Sequence, residues 1–248
     1  MTLDQLIIFR LHGIYDEGPS TMDTWLVGAD EAGRGSLVGE MIVAVAAVRS
    51  DCVETLHALG VRDSKDLSPS TRASIYKELS RLDCLAFSVY PVKPRDIDTY
   101  NLTKLTEEAI YNAFKLLLVR VNPAAISRVT VDRYGRVVKL KILLRKLGYR
   151  GPIIVEEKAD SKYIEVSAAS IVAKHVRDAR IRVLSSLYGV RGSGYPSDPR
   201  TIDWVMDVVG RGEKPPIIRY SWGTLEGTGF RVRKKKGGEH RITLDDFL

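Results

Sequence analysis

The sequence predicts an α/β fold, a mixed sheet flanked by helices and followed by a C-terminal helical subdomain. Three observations carry this expectation. Two short, β-branched, glycine-interrupted segments, TWLVGADE (24–31) and VGEMIVAVAAV (38–48), lie close together and read as a hairpin. Strand-like and helix-like patterns then alternate, the mark of β-α-β units added to an antiparallel start. Beyond GSGYPSDP (192–199) only helical patterning follows.

After the hairpin, SPSTRASIYKELSRL (68–82) sets Ser68 ahead of Pro69 and repeats Ile75, Leu79 and Leu82 at helical spacing. LAFSVYPV (85–92) alternates as a strand. TKLTEEAIYNAFKLLLVRV (103–121) opens on a Thr cap, carries acids early and bases late, and predicts a long helix. ISRVTVD (126–132) predicts a strand ending on an acid, VVKLKILLRKLGY (137–149) a helix stopped near Gly148, and GPIIVEEKAD (151–160) a strand ending among charges. SAASIVAKHVRDARIRVLSSLYG (167–189) predicts another long helix, and DPRTIDWVMDVVG (198–210) the helix of the subdomain. The expected organisation is an extension over 1–23, a sheet domain over 24–190, a helical subdomain over 191–230 and a basic tail over 231–248.

Composition bounds the function classes. The 248 residues are 44% hydrophobic and 28% charged, enough for a packed core and incompatible with disorder throughout. Thirty-eight Lys and Arg against 31 Asp and Glu leave a net charge of +7, which suits a polyanionic partner. The longest apolar run, Met41 to Val48, has eight residues, whereas a membrane helix needs about 20. The first residues lack the basic start and apolar stretch of a secretory signal, so a cytoplasmic protein is expected. Cys52 and Cys84 are too few and too far apart for a disulfide framework or a thiolate zinc site and are expected to be reduced thiols. His12, His57, His175 and His240 have no zinc-ligand spacing, and no P-loop, GxGxxG or GxSxG is present.

The informative pattern is that acids fall at the ends of three predicted strands: Asp30 and Glu31, Asp132, and Asp160. Ionised groups beside an apolar core must be neutralised or paired, since an unpaired buried charge costs several kcal/mol or more. Each alone reads equally as a solvated loop residue or an ion-pair partner. Together they read as oxygen ligands for Mg²⁺ or Mn²⁺, whose charge would relieve their repulsion. Two such ions about 4 Å apart suit phosphodiester hydrolysis. In a regular strand Asp30 and Glu31 face opposite sides, so a bend is expected near them, which Gly33 and Gly35 would permit.

DEAGRGSLVGEM (30–41) resembles the signature of the ribonuclease HII (type 2 ribonuclease H) family, particularly its archaeal members. RDSKDLSP (62–69), TVDRYG (130–135), EEKADSKYIEVSAASIVAKHVRD (156–178) and GSGYPSDPRT (192–201) resemble further family blocks, in order, over roughly residues 24–223. The resemblance implies an RNase H-like fold and a metal-dependent endoribonuclease. Its substrates would be RNA–DNA hybrids and single ribonucleotides within duplex DNA, with 3′-hydroxyl and 5′-phosphate products. Asp30, Glu31, Asp132 and Asp160 match the family's metal-binding catalytic acids. Gly33, Arg34 and Gly35 match its reader of the 2′-hydroxyl, and Tyr195 the tyrosine packed near the junction sugar. A 2′-hydroxyl both donates and accepts, and glycine lets a backbone approach it closely.

By the same resemblance Ser64, Lys65, Ser167 and Ser170 are phosphate contacts. Lys65 also reads as a solvated loop lysine, Ser167 as the cap of its helix, and Tyr195 as a packing residue. The chain departs from the family at Ser36 and Glu40, where Pro is common, and at Glu157, where His is common; Glu157 would add negative charge near the cluster. The tail RITLDDFL, through Leu244, Phe247 and Leu248, resembles the sliding-clamp-binding motif Q-x-x-L-x-x-F-F, with Arg241 in place of Gln. It also reads as a segment folding back on the subdomain. A monomer is expected.

Two competing readings are another RNase H-fold DNA nuclease and a catalytically idle nucleic-acid-binding module. The former would lack a 2′-hydroxyl reader, and the latter gains nothing from clustered acids.

Overall fold

β1 (Trp25–Ala32) and β2 (Met41–Arg49) pair antiparallel, Trp25 opposite Arg49 and Ala32 opposite Ile42, as the hairpin pattern predicts. This is a computed structural model, and it describes residues 24–61, 67–135, 137 and 139–231. Ser64 and Lys65, the extension over 1–23 and the tail residues Leu244, Phe247 and Leu248 lie outside the described residues.

β3 (Leu85–Val92) adds antiparallel to β2, β4 (Ile126–Asp132) parallel to β1, and β5 (Ile153–Glu156) parallel to β4. The sheet order is β3-β2-β1-β4-β5. β2 is buried on both faces, and its residues alternate between two cores. Met41, Val43, Val45 and Ala47 pack with Leu105, Ile110 and Phe114 of α4 (Leu102–Leu117). Ala46 and Val48 pack with Ile164, Ala168 and Ile171 of α6 (Ile164–Tyr188), and Ile42 and Ala44 with Val172 and Ala173 of the same helix.

The α6 face is built for close approach. A Cβ on Gly28 would lie 2.2 Å from the Glu165 carbonyl carbon, so the first turn of α6 rests directly on β1. Glu165 is fully buried there, and its carboxylate accepts from Arg128 Nε at 2.9 Å and Thr130 Oγ1 at 3.0 Å, both on β4. Helix start and sheet centre are thereby locked in register.

α2 (Pro69–Leu79) is capped by Ser68, and α7 (Pro199–Gly210) by Asp198. α5 spans Leu140–Lys146, shorter than predicted, with Glu107 Oε1 accepting from Lys139 N and Leu140 N at its start. α1 (Val53–Ala58) and α3 (Pro94–Thr99) were not expected, since six residues show too little of a 3.6 period. The cap of α4 is Asn101 rather than a threonine, because its Oδ1 accepts from both Thr103 N and Lys104 N. α6 starts at Ile164, so Ser167 lies within the helix and does not cap it.

The cysteines also depart from expectation. Cys52 and Cys84 form a disulfide, with Cα atoms 5.8 Å apart across 32 positions. Antiparallel pairing of β2 with β3 is the reason: it brings the residues just after β2 beside those just before β3, and Arg49 N donates to Cys84 O at 2.9 Å. A third core joins Leu37 and Val38, between β1 and β2, to Ile181 and Leu184 of α6, Trp204, Val205 and Val208 of α7, and Ile218. Among the described residues no helix is long and apolar enough to cross a membrane.

Candidate active site

The parallel β1–β4 pair places the first acids. Ala29 lies opposite Val131, so Asp30 and Asp132 follow at adjacent strand ends. Asp30 faces α6, where Ser170, fully buried, donates to its carboxylate. Asp30 Oδ1 also accepts from Glu31 N at 2.7 Å. β1 remains a regular strand through Ala32, so the expected bend falls after Glu31, at Gly33, whose φ is +81°.

Asp160 is not at a strand end. β5 stops at Glu156, and Asp160 lies four residues later on a single turn of 3₁₀ helix, Ala159–Ser161. Lys158, at φ 55°, turns the chain into it, and Asp132 Oδ1 accepts from Ala159 N at 2.8 Å. Ser167 Oγ donates to the Asp160 carbonyl at 2.6 Å and to the Tyr163 carbonyl at 3.1 Å. Ser167 and Ser170 therefore hold the acid-bearing segments, at 4% and 0% exposure.

The electrostatics show acids crowded together. Burial, with the charge of Asp132, pushes the Asp30 carboxyl up to about 7 against the opposing Ser170 hydrogen bond, Glu31 amide and Lys174. Burial, then the charges of Asp30 and Asp132, push Glu31 up to about 8 against the pull of Arg34. Such groups ionise readily only with a cation beside them. Hard carboxylate oxygens held this way fit Mg²⁺ or Mn²⁺ in donor chemistry. Among the described residues no group of three Asp, Glu, His or Cys side chains is placed to hold one ion.

Beside the acids lies the loop between β1 and β2. Arg34 Nη1 donates to Thr106 Oγ1 at 2.7 Å, lies 3.9 Å from Glu31 Oε1 and stands over the Tyr134 ring at 5.8 Å. A Cβ on Gly33 would come within 3.0 Å of the Glu40 carbonyl oxygen, and its positive φ favours glycine. Gly35 is different: it is exposed, and a Cβ there would meet nothing within 4 Å. Packing does not require glycine at position 35.

The loop is tied to Tyr195, since Leu37 N and Val38 N both donate to the Gly194 carbonyl, at 2.9 and 3.1 Å. Arg177, 5% exposed, places its guanidinium 4.2 Å from the Tyr195 ring centroid and donates to Ser36 Oγ at 3.1 Å and to the Ser193 carbonyl. A cavity of about 470 Å³ opens here, lined by Arg72, Lys174, Arg177, Arg182 and Tyr195 among others.

The departures from the family pattern find their own partners: Ser36 with Arg177, and Glu40 with Arg180. The Glu157 side chain is 77% exposed and 3.7 Å from Arg133, and it does not figure among the charges that move Asp30 or Glu31. Sequence reading missed Arg177, Arg219, Thr106 and Lys174. A buried or loop-bracing role for such residues has no local pattern.

A five-stranded mixed sheet flanked by helices, with acids at adjacent strand ends, is the RNase H-like architecture of nucleic-acid hydrolases. The ribonuclease HII family model matches residues 27–225, and the chain belongs to that family. A ribonuclease HII from Aeropyrum pernix is 50% identical over 226 residues, covering 90% of this chain and 98% of the relative. The ribonuclease H2 structure from Pyrococcus horikoshii OT3 superposes with TM-score 0.73 at 37% identity, covering 84% of this chain and 99% of that one. Ribonuclease HII of Archaeoglobus fulgidus, solved in complex with PCNA, gives 0.68 at 30% identity, covering 89% and 99%. Family membership makes the protein a ribonuclease H that cleaves the RNA strand of hybrids.

Proposed function

We propose that the protein cuts duplex DNA at single embedded ribonucleotides as well as RNA–DNA hybrids, leaving 3′-hydroxyl and 5′-phosphate ends. The observation that carries this reading is Gly35: an exposed glycine that the fold does not need, next to Arg34 and the crowded acids. A bare backbone there lets a ribose approach close enough for its 2′-hydroxyl to hydrogen-bond the Gly33–Gly35 loop. Tyr195, braced by Arg177, offers a ring face to the following sugar.

Asp30, Glu31, Asp132 and Asp160 would hold Mg²⁺ or Mn²⁺, which supplies an activated water and stabilises the leaving oxygen. The chain's own contribution is to fix these acids: Ser170 on Asp30, the Ala159 amide on Asp132, and Ser167 on the Asp160 backbone. Arg34 remains near Glu31 and counters its charge. Lys65 and Ser64 are proposed as phosphate contacts on the resemblance alone.

The tail residues Leu244, Phe247 and Leu248 are proposed to engage a sliding clamp, supported by their pattern and by the relative solved with PCNA. A peptide of the last 15 residues should bind such a clamp, and its Phe247→Ala form should not.

The decisive experiment compares a duplex carrying one ribonucleotide with its all-DNA counterpart, in Mg²⁺, Mn²⁺ or chelator, for wild type and Asp132→Asn. Cutting confined to the ribonucleotide strand, metal-dependent and absent in Asp132→Asn, is expected. Cutting of all-DNA would overturn the reader, and binding without cutting in every metal would favour the idle module.

A further inference from the structure

We propose that Arg219 is a positioning residue for ribose discrimination, one that aims two backbone N–H groups of the Gly33–Gly35 loop outward at the 2′-hydroxyl. The proposal rests on the reading of that loop as the ribose reader.

Arg219 is fully buried, and its hydrogen bonds go to carbonyl oxygens of a single loop. Nη2 donates to Gly33 O at 2.7 Å and to Gly39 O at 2.9 Å, Nη1 to Arg34 O at 2.9 Å, and Nε to Gly39 O at 3.0 Å. The Trp222 ring lies 5.2 Å from the guanidinium carbon. The planar fork fits this task, because a guanidinium offers five donors in fixed directions whereas an ammonium offers a point charge.

Closing the loop does not by itself need a buried cation. Gly39 N already donates to Ile217 O at 2.8 Å, Arg219 N to Leu37 O at 2.9 Å, and Val38 bridges Ile218. Those bonds fix residues 37–39. The Gly33 carbonyl also accepts from Ser36 N at 3.2 Å, so what Arg219 adds is a second hold on the 33–34 peptide plane and a hold on the 34–35 plane. In a trans peptide the C=O and the following N–H point in opposite directions, and the described residues contain no cis bond. With Gly33 O and Arg34 O turned inward to Arg219, the N–H groups of Arg34 and Gly35 turn outward, on the side where Gly35 is exposed. Neither N–H has an acceptor among the described residues. Two parallel donors fixed in this way suit a hydroxyl oxygen, and a deoxyribose gives them nothing to bind.

The segment carrying Arg219 is itself anchored, since Asp98 accepts from Tyr220 N at 2.7 Å and from Ser221 N at 2.8 Å. Discrimination is thus supported from a position 180 or more residues away in sequence.

The test measures affinity for a duplex carrying one ribonucleotide and for its all-DNA counterpart, in an Asp132→Asn background so that nothing is cut. Arg219→Lys should narrow the ribo-to-deoxy affinity ratio about tenfold while all-DNA affinity stays within about twofold. A merely structural role would lower both affinities together, and that result, or an unchanged ratio in a folded variant, overturns the proposal. If Arg219→Lys fails to fold, Asp98→Asn, which loosens the anchor without touching the loop, should narrow the same ratio; an unchanged ratio there overturns the proposal as well. If the background protein itself shows no ribo-to-deoxy preference, the reader assignment falls first and this proposal with it.

Discussion

Gly35→Ala separates recognition from folding. Gly35 has no φ in the left-handed range and open space where a methyl would go, so alanine fits its backbone without strain. The expected stability change is within about 1 kcal/mol, and the lower conformational entropy of the unfolded chain favours the variant. For a chain of this size that moves Tm by at most roughly 2–4 °C. If this backbone is the ribose reader proposed above, the methyl would stand on the surface the 2′-hydroxyl reaches, and losing one to two hydrogen bonds there would cost about 1.5–3 kcal/mol in the transition state. Single-turnover and steady-state cleavage of a one-ribonucleotide duplex should therefore show kcat/KM down about 10- to 100-fold, beside a Tm within that small range of wild type. Gly33→Ala is the contrast: its φ of +81° alone costs about 1–2 kcal/mol, so it should lose both stability and activity. A Gly35→Ala protein that melts like wild type and cuts with wild-type kcat/KM would refute the assignment of this backbone as the reader.

Three further outcomes follow from the geometry. The folded-state pKa values of Asp30 and Glu31 lie above their unfolded values, so the folded protein binds more protons between about pH 4 and pH 8 and, without metal, loses stability as pH rises through that window. Melting in chelator should show the decline, Asp30→Asn should flatten it, and Mg²⁺ should raise Tm more at pH 8.5 than at pH 6; a pH-independent Mg²⁺ effect contradicts the coupling. Opening the Cys52–Cys84 disulfide releases a loop of 32 positions, worth about 3–4 kcal/mol on chain entropy, so dithiothreitol or Cys52→Ala should lower Tm by roughly 10 °C, and equal Tm values with and without reductant would contradict the cross-link. Gly28→Ala drives a methyl to 2.2 Å from the α6 backbone, beyond what side-chain adjustment absorbs, and should cost about 3 kcal/mol or more by calorimetry.

The sheet was legible because its strands are short β-branched runs whose ends carry charge, and β4 appears at the predicted residues. The positions of Asp30, Glu31 and Asp132 were legible for the same reason: an acid closing an otherwise apolar strand stands out. Asp160 was misplaced because the sequence from 151 to 160 does not reveal that β5 ends at Glu156 and that a 3₁₀ turn carries the acid onward. Ser167 looked like a cap because SAAS resembles a helix start, yet contact with β1 and β4 extends the helix three residues earlier. The disulfide follows from β2–β3 register, a property of two segments together and of neither alone. Arg177 and Arg219 were invisible because their partners are carbonyls and hydroxyls brought near only by the tertiary fold, and an arginine in a local string reads as surface.

The docking of the β1–β2 loop against Gly194, Ile217 and Arg219 has a consequence for the order of assembly. Its closing contacts reach up to 186 positions forward along the chain, and contacts of such separation form late because loop-closure entropy opposes them. The sheet and α6 need only residues made earlier, so a growing chain can gather its carboxylates before the loop has anything to rest on. The acid-bearing strands can therefore pair before the segment around Arg219 is made, and the loop gains its last supports only when that segment arrives.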